Sequence, residues 1–158
     1  MIDALLKTVH LLSIIVWIGG MVFAHFFLRP AVAQLEPPQR LRLMRDVLGR
    51  FFQTVLVVSL LAVASGVWML GRVAKQVVQS GGSFSMPGSW TMMAALGLAM
   101  LLVFFYIRFV LYPRLTRAVV SSDWPAGGAT MTQVRQWVAV NLGLGGVILL
   151  TTLLRWPA

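Results

Sequence analysis

The chain reads ALLKTVHLLSIIVWIGGMVFAHFFL over residues 4–28, an apolar stretch long enough to cross a bilayer as one helix. A hydrocarbon layer about 30 Å thick requires about 20 residues of α-helix. The stretch is too long for the core of a secretion signal, and no small-residue cleavage site follows it. We therefore expect it to remain in the mature protein as the first transmembrane helix.

Three more apolar stretches follow, at about residues 51–70, 90–111 and 134–154. Of the 158 residues, 59% are hydrophobic and only 11% are charged, and the mean hydropathy is +0.86. Soluble domains do not reach these values, because they cannot hide so much apolar surface. The four spans leave no room for a separate soluble domain. The sequence thus predicts one all-α domain, a bundle of four transmembrane helices.

The basic residues indicate how the chain is oriented. Nine of them flank the first and third connections and four flank the opposite side, and Lys and Arg near span ends resist translocation. We therefore expect cytoplasmic Arg-rich connections, external termini, and a location in the bacterial inner membrane. The net charge of +9 is then explained by orientation and anionic headgroups, and nucleic acid is not an expected partner. The nine are Arg29, Arg40, Arg42, Arg45, Arg50, Arg108, Arg114, Arg117 and Arg135, and the four are Lys7, Arg72, Lys75 and Arg155.

The first connection has a helical pattern of its own. Leu41, Met44 and Leu48 recur at helical spacing, while arginines occupy much of the remaining surface. A basic amphipathic segment of this kind is typical of a helix that lies on the membrane surface. We expect such an interfacial helix to lead into the second span.

The first and third spans end in similar sequences, FFLRP at residues 26–30 and FVLYP at residues 109–113. This weak repeat, with an offset of 83 residues, predicts two parallel helical hairpins related by a pseudo-two-fold axis along the membrane normal. The offset pairs His25 with Arg108, near the cytoplasmic ends of their spans. We expect this polar pair to have a structural role.

Polar residues inside the spans are the best functional candidates, because hydrocarbon offers them no water. Lys7, His10 and Trp17 are spaced so that they share one face of the first helix. His10 lies about two turns below the start of its span, where an imidazole without a partner would be costly. Asn141 in the fourth span is expected to donate a hydrogen bond to a neighbouring helix.

The residues that most enzymes use are missing from the spans. The chain has no cysteine, which excludes disulfides and thiolate metal sites. Its four carboxylates all lie outside the span centres, so none is placed for an intramembrane proton relay. No nucleophile elbow, zinc-protease motif or phosphate-binding loop occurs. An enzyme that works without a cofactor is not expected.

Several motifs together resemble the four-helix CopD-like proteins, whose name comes from bacterial copper resistance. The resemblance covers most of the chain and implies a membrane protein that handles copper. The motifs are KTVHLLS at residues 7–13, WIGG at 17–20, LRP at 28–30, PPQRLRL at 37–43, GRFF at 49–52 and NLGLG at 141–145.

The first-helix pattern K-x-x-H-x-x-S-x-x-x-W-x-x-G also resembles the HemJ-type protoporphyrinogen oxidases, which are thought to carry haem b. That resemblance transfers only to Lys7, His10 and Trp17. HemJ-type and many CopD-like chains have a further histidine in the third span, which this chain lacks. Haem would therefore need His10 together with Met93, or with His10 of another subunit in a homo-oligomer.

Three interpretations remain open. In the first, His10 and Met93, supported by Met92, bind a copper ion in the outer half of the bundle, since imidazole and thioether suit Cu(I), and a periplasmic metal carrier is a possible partner. In the second, His10 binds haem b and Lys7 holds a propionate. In the third, His10 only hydrogen-bonds across helices, the methionines fill space, and the protein assists another membrane complex.

Overall fold

The structure is a computed structural model that describes residues 1–154. Over this range it contains helices and no β-strand. The chain forms four long apolar helices: α1 (Ile2–Gln34), α2 (Pro37–Gln79), α3 (Gly88–Val120) and α4 (Trp124–Leu153). Each contains one of the four stretches identified in the sequence, which confirms the predicted all-α, four-helix class. Of the basic residues used to orient the chain, Arg155 lies outside the described residues.

The helices pack as a ring in chain order. α1 runs along α2, α3 runs along α4, the last part of α3 contacts α2, and α1 closes the ring against α4. The core between them contains a row of aromatic rings in edge-to-face contact. Trp17 meets Phe104, Phe104 meets Phe52, and Phe52 meets Tyr112, with ring centroids 5.9, 6.2 and 5.6 Å apart. One row of rings therefore ties α1, α2 and α3 together.

The helices extend well beyond the predicted spans. α2 has 43 residues, about 65 Å of helix, roughly twice the thickness of a hydrocarbon layer. Its first turns were expected to lie on the membrane surface, and this expectation is wrong. Leu41, Met44 and Leu48 are buried in the protein core. Leu41 lies against Gly127 at the start of α4, so the apolar face that resembled a lipid-binding surface packs on other helices.

Both odd-numbered helices contain a π-helical segment, Phe23–Leu28 in α1 and Ile107–Leu111 in α3. The Arg29 N–H bonds to the Ala24 carbonyl and the Tyr112 N–H to the Ile107 carbonyl, each five residues back. Arg29 and Tyr112 are each followed by a proline, Pro30 and Pro113. Proline has no N–H, and its ring clashes with the carbonyl four residues before it, which disturbs the α-helical hydrogen bonding at this point. Both segments end at the same point of the 83-residue repeat, which supports two related hairpins.

Candidate metal site and basic cleft

His10 is held against α2. Its Nδ1 lies 2.9 Å from the backbone oxygen of Ala62 and 3.1 Å from Oγ of Ser65. A carbonyl oxygen can only accept a hydrogen bond, so Nδ1 carries the proton and donates it. In the neutral imidazole, the other ring nitrogen, Nε2, then keeps a free lone pair. A histidine in this state is prepared to bind a metal, because ligand histidines usually donate their second N–H to such an acceptor.

The surface of α2 is shaped to receive this imidazole. The buried Ser65 hydroxyl donates to the Leu61 carbonyl at 2.6 Å, which leaves its oxygen free to accept from His10. Gly66 lies beside the ring, and a Cβ at this position would lie 3.3 Å from Cε1 of His10. The orientation of the ring is therefore fixed by α2.

A methionine of α2 lies one helical turn from a residue that contacts His10. Nε of Arg72 lies 3.0 Å from Oδ1 of Asp3, which joins the start of α1 to the last turns of α2. Met69 follows Ser65 by one helical turn on the same face of α2 and lies between this ion pair and the His10 contact. The sequence predicted Met69 to lie near the outer face with four other methionines, and its place relative to His10 depended on the register of α2 against α1. The other four are Met1, Met86, Met92 and Met93.

The other predicted site residues lie on several sides of the bundle. Met93 and the half-buried Met92 are on α3, where Met93 is 37% exposed. The hydrogen bonds described for His10 all go to α2, so its pairing with Met93 stays a prediction. Trp17 is buried in the aromatic row, and Lys7 is exposed on α1.

Methionine thioethers are candidate metal ligands alongside His10. In residues 1–154, no group of three or more histidine, aspartate or glutamate side chains is placed to hold a metal ion. His10 would supply one nitrogen ligand, and methionine thioethers are candidates for further ligands from this chain. This donor set fits Cu(I), which accepts two or three soft ligands.

A second polar region lies at the opposite end of the bundle. Arg108, in the π segment of α3, lines a cleft of about 300 Å³ between α2 and α3. His25, in the π segment of α1, is half-buried with its ring 4.9 Å from that of Phe26. The repeat places His25 and Arg108 at corresponding positions, but their described contacts differ: His25 contacts Phe26, whereas Arg108 lies near the rings of Phe109 and Tyr112.

A family model described as Copper resistance protein D matches residues 45–155, more than two thirds of the chain. The chain belongs to the CopD family. No curated protein and no solved structure matches it. The family and the four apolar helices together make this an integral membrane protein.

The matched part of this CopD chain covers most of α2 and all of α3 as well as the described part of α4. Both histidines of the chain, His10 and His25, precede it. The match includes the α2 residues that receive His10, namely Ala62 and Ser65, but not His10 itself. The family therefore supports copper handling in general, and the ligand assignment rests on the geometry at His10.

A buried amide oxygen of α4 has no hydrogen-bond partner among the described residues. Asn141 on α4 is 1% exposed, and its Oδ1 has no hydrogen-bond partner within the described part of the chain. The sequence predicted that this residue donates a hydrogen bond to a neighbouring helix; such a bond would come from Nδ2 rather than Oδ1, and it stays a prediction. An unsatisfied amide oxygen in a dry core is unfavourable by about 1–3 kcal/mol.

Proposed function

We propose that this CopD-family membrane protein binds copper in the outer half of its bundle as part of copper homeostasis or transport, with His10 as the principal ligand. The single observation that supports this most strongly is the hydrogen bond from His10 Nδ1 to the Ala62 carbonyl. In the neutral imidazole it leaves the lone pair of Nε2 free, and it holds the ring in one orientation. Copper here is the cargo of the protein.

Thioethers complete the proposed site. Met93, with Met92 beside it, is the ligand suggested by the sequence, and Met69 is the one suggested by the register of α1 against α2. A positive charge near the site would oppose the entry of a cation, and Lys7 precedes His10 by one turn. Lys7 is exposed, which supports an ammonium group that extends toward the headgroups. A periplasmic metal carrier that delivers Cu(I) directly would also avoid this barrier.

Haem b is the second candidate function. An exposed Lys7 one helical turn from a free Nε2 could hold a propionate, with Met93 or His10 of a second subunit as the other axial ligand. The third interpretation, that His10 only joins two helices, predicts neither metal nor haem. Metal content and the visible spectrum separate the three.

The first test replaces His10 by alanine. We expect His10→Ala to lower bound copper at least about tenfold, because one ligand and its anchored orientation are lost together. The measurement is copper and iron per protein by mass spectrometry, with the visible spectrum, on folded protein purified in detergent. Met69→Leu and Met93→Leu show which thioether contributes.

His25→Ala is the matched control, because it removes the other histidine and should leave the copper content unchanged. If His10→Ala retains the copper of the wild type, His10 is not a ligand. A Soret band that is present in the wild type and disappears in His10→Ala would mean that His10 binds haem b rather than copper.

We also propose that both termini and the connection between α2 and α3 face the periplasm, with the protein in the bacterial inner membrane. The support is the nine-to-four distribution of basic residues. An alkaline phosphatase fused after Ala158 should be active, because this enzyme works only outside the cytoplasm. The same enzyme inserted between Ser121 and Ser122 should be inactive. The reverse pattern of activities would contradict this orientation and the outer position of His10.

A further inference from the structure

The cleft between α2 and α3 is separate from the proposed copper site. It has a volume of about 300 Å³ and is open on one side. Five of its six lining residues have polar side chains, two of them arginines. These residues are Asp46, Gly49, Arg50, Gln53, Arg108 and Tyr112.

Arg108 has no acceptor for its charge in this cleft. The Cζ of its guanidinium lies 5.4 Å from the ring centre of Tyr112 and 5.5 Å from that of Phe109. Its Nε is buried and has no hydrogen-bond partner, and no carboxylate among residues 1–154 lies within ion-pair distance of it. A buried N–H of a charged group is costly to leave unpaired. The described side chains therefore do not supply an acceptor for Arg108, and a bound ligand could supply it.

The position of Arg108 is built into the fold. The Tyr112 hydroxyl donates to the Arg45 carbonyl of α2 at 3.2 Å. This approach is possible because Gly49 has no side chain, and a Cβ at this position would collide with the Tyr112 hydroxyl. The ring of Tyr112 is thus held against α2, and the guanidinium lies over that ring.

The charges around the cleft favour an anion. Arg50 and Arg108 contribute two positive charges, and Gln53 adds an amide that can donate. Asp46 is the one carboxylate in the lining, and its Oδ1 is 2.7 Å from Nη2 of Arg45, outside the cleft. The negative charge of Asp46 is therefore balanced elsewhere, and the cleft remains positive.

From this arrangement we propose that the cleft is a binding site for a phosphate group. A guanidinium pairs well with phosphate because its N–H groups fit two phosphate oxygens at once. The source can be the headgroup of an anionic phospholipid or free phosphate. Arg50 directly precedes the apolar span of α2, so the cleft lies where lipid phosphates are found.

The test measures lipid binding to the purified full-length protein by native mass spectrometry. Phosphatidylglycerol is titrated in parallel with diacylglycerol of the same chains, which has no phosphate. We expect one phosphatidylglycerol to bind and diacylglycerol to bind much more weakly. Arg108→Gln should weaken phosphatidylglycerol binding about tenfold, since it removes a charge-assisted hydrogen bond. Arg50→Gln, at an exposed position where folding is not at risk, should weaken it about threefold or more.

Arg29→Gln is the matched control, because it removes an exposed arginine of α1 that does not line the cleft. It should change the affinity less than about twofold if the site is specific. Equal losses in Arg29→Gln, Arg50→Gln and Arg108→Gln would mean diffuse attraction by surface charge and would overturn the proposal. Diacylglycerol binding as tightly as phosphatidylglycerol would also overturn it.

Two further arms identify the source of the phosphate and the role of Asp46. Competition by millimolar inorganic phosphate assigns the site to the free anion, and its absence assigns it to a lipid headgroup. Asp46→Asn should leave or increase the affinity, because it removes a negative charge from the lining. A loss of affinity in Asp46→Asn would show that the cleft does not select for negative charge.

Discussion

Phe52→Ala is expected to destabilise the protein by about 3–5 kcal/mol, the usual cost of removing a buried phenyl ring from a core. Phe52 is 2% exposed, and its ring contacts both Phe104 and Tyr112 edge to face. The substitution would therefore leave a cavity in the middle of the aromatic row. The measurement is the free energy of unfolding in mixed micelles, followed by tryptophan fluorescence.

Phe27→Ala is the control for this experiment. Phe27 is 62% exposed on α1, outside the core, and stacks only on the exposed Phe23 among the described ring pairs. Its removal should change the free energy of unfolding by less than about 0.5 kcal/mol. Similar losses in the two variants would mean that the aromatic row does not dominate the core.

The second large effect is expected at neighbouring glycines of α1. A Cβ at Gly20 would collide with the ring of Phe51 on α2, whereas a Cβ at Gly19 would meet nothing within 4 Å. We expect Gly20→Ala to destabilise the protein by about 1–3 kcal/mol, because the two helices must separate or the ring must move. Thermal unfolding in detergent measures the difference.

Gly19→Ala serves as the matched control, one residue away with the same chemical change. Alanine favours a helix interior over glycine by about 0.5–1 kcal/mol, so Gly19→Ala should leave the stability unchanged or raise it. Both variants gain this helix propensity, and only Gly20→Ala meets Phe51. If Gly20→Ala were as stable as Gly19→Ala, the close contact of α1 with α2 at this point would be absent.

Most of the fold could be predicted from the sequence. A hydrocarbon layer requires long apolar helices, and each such helix corresponds to one continuous stretch of apolar residues. The repeat of FFLRP and FVLYP was visible in the sequence, but the π segments beside its prolines were not predicted from it. The first turns of α2 were misinterpreted. Leu41 and Met44 form an apolar stripe that looks the same whether lipid or protein covers it, so only the packed structure decides between them.

The candidate sites were less predictable, because they depend on contacts between helices. His10 and Arg108 stood out as polar residues in apolar runs. The acceptor of His10 is the backbone carbonyl of Ala62, and no sequence pattern marks a carbonyl that faces another helix. The role of Gly49 was equally hidden, since it becomes meaningful only once Tyr112 is known to lie against it.

The unbroken length of α2 has a mechanical consequence. Ser65 receives His10 and Gln53 lines the phosphate cleft, and both lie on one continuous helix, 12 residues and about 18 Å apart. Because α2 is continuous, a tilt of this helix that widened the cleft would also move the groups that orient the imidazole. If occupancy of one site favours a particular tilt, thermodynamic linkage requires the other site to respond by the same factor in affinity. The two sites would then be coupled by the movement of one rigid helix rather than by a chain of contacting side chains.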